Sequence, residues 1–219
     1  MKTFQANIYR LFLNLSKIAV IFVGFGSVMV YLIYTQSISD GEMLYQMYTT
    51  MITFFWIMYF IIQNGDLFEK KVIRYYVEAE TKRFPIIIAL YLENIGLYIM
   101  SVLIIFVFFL MNDISVNFTF ILSYFLLYIL YLSIVLNILL IFKKTSTALL
   151  VSILCLWIFP NLINYVFENT TFYDLQLGYY LSPDTFVMHE LIINNIIVYG
   201  VYFSLMLSAS FLHFEYAEL

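Results

Sequence analysis

Residues 118–142 read FTFILSYFLLYILYLSIVLNILLIF, and Lys143 and Lys144 follow at once. No charged side chain interrupts the stretch. A helix needs roughly 20 such residues to cross the hydrocarbon core of a bilayer. The apolar run is continuous rather than alternating, which points to a helix and away from a barrel strand. The lysine pair at its end then carries information about sidedness, because Lys and Arg accumulate in cytoplasmic loops.

Working outward, five further runs have comparable length: 18–34, 44–62, 86–111, 148–167 and 191–212. The chain of 219 residues is 64% hydrophobic and only 11% charged, with a mean hydropathy of +0.95. Soluble domains carry about a quarter charged residues, so a soluble core of this length would leave far too much apolar surface in water. The expected fold is an all-α integral membrane protein of six transmembrane helices, a single membrane domain over residues 1–219. The run at 18–34 is longer than a signal-peptide core and has no small-x-small cleavage site after it, so it is read as a retained span.

All 10 basic residues fall on alternate sides of these runs. Lys2, Arg10 and Lys17 precede the first. Lys70, Lys71, Arg74, Lys82 and Arg83 separate the second from the third, and Lys143 and Lys144 separate the fourth from the fifth. The intervening loops hold none. The amino and carboxyl termini are therefore both expected in the cytoplasm, with a plasma-membrane location. The net charge of −4 is not a nucleic-acid-binding balance, and no nucleic acid is expected as a partner.

Three segments lie outside the runs. In residues 1–17, Phe4, Ile8, Leu11, Phe12 and Leu15 recur at helical spacing opposite Gln5, Asn7, Arg10 and Asn14. This predicts an amphipathic helix lying in the interface. Residues 66–84, DLFEKKVIRYYVEAETKRF, place Asp66 before Lys70 and Glu78 before Lys82 at i,i+4, the stabilising order on a helix. Phe68, Val72, Tyr76 and Glu80 share a face. A cytoplasmic helix offering an apolar side to a partner is one reading, and a solvated loop whose charges set topology is the other. Pro85 marks the turn back to the membrane. Residues 168–190 lack Lys and Arg and mix Phe172, Tyr173, Tyr179, Tyr180 and Phe186 with acids, which predicts short helices dipping into the outer interface.

Motifs for chemistry are missing. The glycines of Gly24-Phe25-Gly26-Ser27 lack the Gly-Lys-Ser/Thr ending of a phosphate-binding loop. His189-Glu190 opens like a zinc-protease motif, but Ile193 stands where the second histidine belongs. No catalytic residue and no metal site is assigned, and the lone Cys155 forms no internal disulfide. Polar groups inside the runs are few. Glu93 is either an intramembrane carboxylate or an interfacial one. Asn137, Asn161 and Asn164 bond across helices or line a pathway. Pro160 is expected to bend the fifth span and free nearby carbonyls. Gly200, Ser204 and Ser208 form a small-residue row that lets helices approach closely, within the chain or against a copy.

In order, the chain reads as interfacial helix, two spans, charged cytoplasmic helix, then two pairs of spans with a long external segment inside the second pair. This layout resembles the permease subunit of type-2 ABC exporters, over nearly the whole chain. In that family an acidic residue, a basic stretch and a proline or a Ser-x-x-Arg often precede the third span. Glu69-Lys70-Lys71 through Thr81-Lys82-Arg83-Phe84-Pro85 is similar to a shortened form of that pattern, without the glycine that commonly follows the acid. The chain's wealth of Ile, Phe, Tyr and Asn is similar to that of exporters of bacteriocins or cytolytic peptides such as the staphylococcal phenol-soluble modulins.

The resemblance implies an amino-terminal elbow helix, a coupling helix between spans two and three, and short external helices between spans five and six. It implies a separate ATPase subunit that holds ATP and Mg, a second permease copy or paralogue, and a peptide substrate. It also implies that Asp66, Phe68, Glu69, Lys70, Lys71, Arg74, Tyr76, Glu78 and Lys82 form the coupling surface for the ATPase. Two other classes stay open from the residues alone: a membrane immunity or accessory protein that sequesters a toxic peptide without ATP, and a secondary transporter.

Overall fold

The computed structural model describes residues 41–69, 84–111, 118–182 and 193–216, and among these it is helical with no strand. The expected interfacial helix over 1–17 and the first span over 18–34 lie outside the described residues. So do Lys70, Lys71, Arg74, Tyr76, Glu78 and Lys82. Among the described residues, five helical runs are long and apolar enough to cross a membrane: Met47–Glu69, Pro85–Met111, Ile121–Phe142, Thr145–Phe167 and Ile196–Glu215. They are what a multi-pass membrane protein requires.

Helix α1 covers Gly41–Glu69 and α2 covers Phe84–Met111. Pro85 sits in the first turn of α2, where its missing N–H costs nothing. α1 runs past the expected span end at residue 62 and takes in Asp66, Phe68 and Glu69. No helix breaker other than Gly65 stands in that stretch, and a single glycine does not stop a helix. The expected coupling segment therefore begins as the last turn of a span.

Helix α3, Phe118–Phe142, coincides with the stretch quoted first. From Leu127 to Leu140 every position except Ile129 is buried. A helix buried all round is a central one. It ends at Lys143, the one described non-glycine residue with a positive φ, at 54°. Its N–H still reaches the Leu139 carbonyl at 2.9 Å. A left-handed residue just after a helix is the usual way to end one. Lys144 is extended, and α4, Thr145–Ile153, starts immediately.

A π turn, Leu154–Ile158, joins α4 to α5, Phe159–Phe167. Here the expected bend at Pro160 takes a specific form. Proline at this position cannot donate, and its ring would strike the Leu156 carbonyl in a regular helix. The wider turn moves that carbonyl aside, with the Phe159 N–H reaching back to Leu154 O. Asn161 Nδ2 donates to the Trp157 carbonyl at 3.1 Å, in the stretch where the backbone ladder is disturbed. A 3₁₀ turn, Tyr173–Leu175, and a short helix α6, Leu177–Leu181, follow. The last helix is α7, Ile193–Tyr216.

The chain divides into two compact units. One contains the start of α1 and α2. There, Asn94 Nδ2 donates to Leu90 O and Ser101 Oγ to Leu97 O, at 2.9 and 2.8 Å. Such bonds satisfy polar side chains within their own helix. The other unit contains α1 from Thr53 onward with α3 to α7, and the functional features below lie in it.

Candidate functional site: a tyrosine-pinned hairpin, a polar seam and a helix-end junction

The segment after α5 turns back into the helical packing. Gly178, Tyr179, Tyr180, Leu181 and Ser182 are all buried. Short helices were expected here, and a 3₁₀ turn and the short helix α6 are present. Tyr131 holds them against α3. It stands midway along α3, roughly 20 Å of helix axis from Phe118. Its side chain leans toward the helix start, as helical side chains do, and its hydroxyl donates to the Leu181 carbonyl. A second tyrosine does the same from α7: Tyr202 OH donates to Leu175 O at 2.6 Å. The two hydroxyls thus satisfy one carbonyl at the 3₁₀ turn and one at the end of α6.

Rings complete the fit. Tyr173, Tyr179, Tyr180 and Tyr202 follow one another with centroids 5.6, 5.2 and 5.7 Å apart. Tyr131 meets Trp157 edge-on at 5.8 Å, and Trp157 meets Phe54 at 4.7 Å. Such tilted contacts suit the ring quadrupoles. On α5, Asn164 Oδ1 accepts a hydrogen bond from Gln176 Nε2. Gly178 allows this approach: a Cβ there would come within 2.6 Å of Gln176 Oε1 and 3.1 Å of both Asn164 Oδ1 and Ile163 Cβ.

Tyr131→Phe is expected to free the hairpin while keeping the ring stack. The orphaned Leu181 carbonyl costs about 1–3 kcal/mol. Hydrogen exchange of the 173–182 amides should speed up about tenfold or more. Exchange elsewhere in α3 should change much less. Equal exchange in the two proteins would show that the hydroxyl does not hold the segment.

The second feature is a polar seam between α3 and α7. Asn137 Nδ2 donates to its own helix at Ser133 O, 2.9 Å, and across to Met206 O, 2.8 Å. With both amide hydrogens spent, Oδ1 is the acceptor for His213 Nδ1 at 3.1 Å. His213 therefore carries its hydrogen on Nδ1. Ser210 Oγ adds a bond to Met206 O at 3.0 Å, and Tyr199 OH donates to Leu126 O at 2.6 Å. Asn137 thus joins α3 to α7 through its side-chain amide.

The third feature lies where α3 gives way to α4. Glu69 Oε2 accepts from the Thr145 backbone N–H at 3.2 Å and from Thr145 Oγ1 at 2.9 Å. A Cβ on Gly65 would fall 2.6 Å from Thr145 Oγ1 and 3.0 Å from its Cβ and Cγ2. Phe68 meets Phe214 of α7 edge-on at 6.5 Å.

The remaining sequence-predicted residues are dispersed. Asp66 is exposed on the last turn of α1. Glu93 is half-buried inside the unbroken α2. That helix is about 42 Å long, against a hydrocarbon core of roughly 30 Å. Ser204 and Ser208 are exposed and Gly200 has no described atom within 4 Å of a would-be Cβ. Their row faces away from the α3 seam, which uses Tyr199, Met206, Ser210 and His213. The sequence reading missed Tyr131, Thr145, Gln176, Tyr199, Tyr202 and Ser210. Of these, only Tyr199 and Ser210 carry a signal, because helical spacing places them with His213 on one side of the last apolar run.

Among the described residues no group of His, Cys, Asp and Glu could hold a metal ion. Comparison with known proteins finds no matching family model, curated protein or solved structure.

Proposed function

We propose that this chain is the membrane-spanning subunit of an ATP-driven ABC exporter, moving amphipathic or hydrophobic peptides out of the cell. Its termini and the Lys143–Lys144 turn face the cytoplasm of a bacterial plasma membrane in this reading. A separate ATPase subunit, with its ATP and Mg, docks on residues 66–84, and a second permease copy or paralogue completes the transporter. The layout of spans, the one-sided basic residues and the short helices before α7 support the reading.

The observation that carries it is the junction at Glu69. The basic residues of the charged segment follow, in sequence, directly after the residue where α1 is tied to the start of α4. A partner pressing on that segment would act on two spans together, which an exporter needs and a passive sequestering protein does not.

The test is ATPase activity in reconstituted vesicles. The purified chain alone should hydrolyse no ATP, and adding an ABC-type ATPase encoded by a neighbouring gene should give activity above that of either part. Reversing charge at Lys70, Lys71 and Arg74 together should cut that activity at least tenfold. Full activity in the triple variant would remove these residues from the docking surface. No activity with any neighbouring ATPase would sink the exporter reading.

A further inference from the structure

We propose that Glu69 is a positioning residue that locks the end of α1 to the start of α4, so that a displacement of either helix end is passed to the other. The proposal deepens the exporter reading by naming the route from docking segment to span, and it rests on that reading only for its consequence in transport.

Helix starts are usually capped by the residue just before them. At α4 that residue is Lys144, and it makes no side-chain cap bond. The cap comes instead from 76 positions away, where one carboxylate oxygen of Glu69 takes both the first N–H of α4 and the Thr145 hydroxyl. The carboxylate also sits at the positive end of the α4 dipole, its favoured place.

The bond is part of a shaped contact. Gly65, Phe68 and Glu69 are spaced i, i+3 and i+4, and so share one face of α1. Gly65 brings the α1 backbone against Thr145. Phe68, 5% exposed, packs on Phe214. One turn of α1 thus grips the start of α4 and the end of α7. Glu69 is the only member of the trio that contributes hydrogen bonds to Thr145, and it is the last residue of α1 before the basic segment.

The test reads geometry without any ATPase. Nitroxides are placed at Ile62 and Leu150, both exposed, through cysteines in a Cys155→Ala background, and their distance distribution is measured by pulsed electron spin resonance in lipid nanodiscs. The parent should give one narrow peak. Glu69→Ala should at least double its width, and Glu69→Gln, which keeps an acceptor oxygen, should restore it. Thr145→Ala, which keeps the N–H and loses the hydroxyl, should fall between. It also serves as the reporter if Glu69→Ala does not fold.

An unchanged width in Glu69→Ala or, failing that variant, in Thr145→Ala overturns the lock, as does a Glu69→Gln protein as broad as Glu69→Ala. In vesicles with the nucleotide-binding subunit, Glu69→Ala should lose at least fivefold of the stimulated ATPase activity and Glu69→Gln should keep most of it. Because the distances are taken on the chain alone, failure to find an ATPase overturns the exporter reading and leaves the lock standing.

Discussion

Asn137→Asp should destabilise the chain by about 3 kcal/mol or more, at least about twice as much as Asn137→Leu. In the native seam the amide hydrogens of Asn137 lie 2.9 Å from Ser133 O and 2.8 Å from Met206 O, measured between heavy atoms. Aspartate puts an oxygen where that nitrogen was, facing two carbonyl oxygens. The second oxygen keeps the His213 contact, but one partner does not offset the desolvation of a buried carboxylate. Leucine removes the donor without adding a charge. Met206 O then still accepts from Ser210 Oγ, and Ser133 O keeps its helical bond. The loss is therefore only that of bonds between membrane helices, about 0.6 kcal/mol on average and up to about 1.7 for the best. Unfolding in mixed detergent micelles measures both. A ranking with leucine worse than aspartate would mean that the Asn137 amide hydrogens do not face the Ser133 and Met206 carbonyls.

That ranking is invisible in the sequence, although Asn137 was not. Its apolar setting marks it as a residue needing a partner, because hydropathy is a local property. Which carbonyl it finds depends on how α3 meets α7, and nothing local encodes that. The same division runs through the molecule. Residues 118–142 form a helix with the expected limits because lysines close the apolar run. α1 runs past residue 62 because nothing up to Glu69 except Gly65 weakens a helix, and Asp66 and Glu69 are accommodated as exposed residues of its last turn. The hairpin after α5 was legible as short helices with aromatics. Its packing was not, since the choice of Tyr131 among 20 tyrosines is made by the Leu181 carbonyl 50 residues away. Segment length and composition announce a membrane helix, while the bonds that join helices are set by contacts far apart in the chain.

Gly65→Leu should cost about 3 kcal/mol, the upper part of the range for overfilling a packed contact. The Gly65→Ala variant makes the reason testable, because two effects oppose there. Alanine is favoured over glycine inside a helix by about 1 kcal/mol. Propensity alone therefore predicts a more stable protein. The added methyl, however, would stand 2.6 Å from Thr145 Oγ1 and 3.0 Å from Thr145 Cβ. Rotating the threonine moves the hydroxyl away but breaks its bond to Glu69 and leaves the Cβ in place. The α1 backbone must then withdraw from α4, and Gly65→Ala is expected to be less stable than the parent. Gly96→Ala is the control: Gly96 is exposed in α2, and a Cβ there meets nothing within 4 Å. It should leave stability unchanged or raise it. Should Gly65→Ala match Gly96→Ala in the unfolding assay, the close approach of α1 to Thr145 would not exist in the folded protein, and the Glu69 lock would lose the contact that aligns it. If the two diverge as expected, pairing Gly65→Ala with Thr145→Ala should recover part of the loss but not all of it. The double variant removes the Oγ1 and Cγ2 contacts while the 3.0 Å approach to the Thr145 Cβ remains.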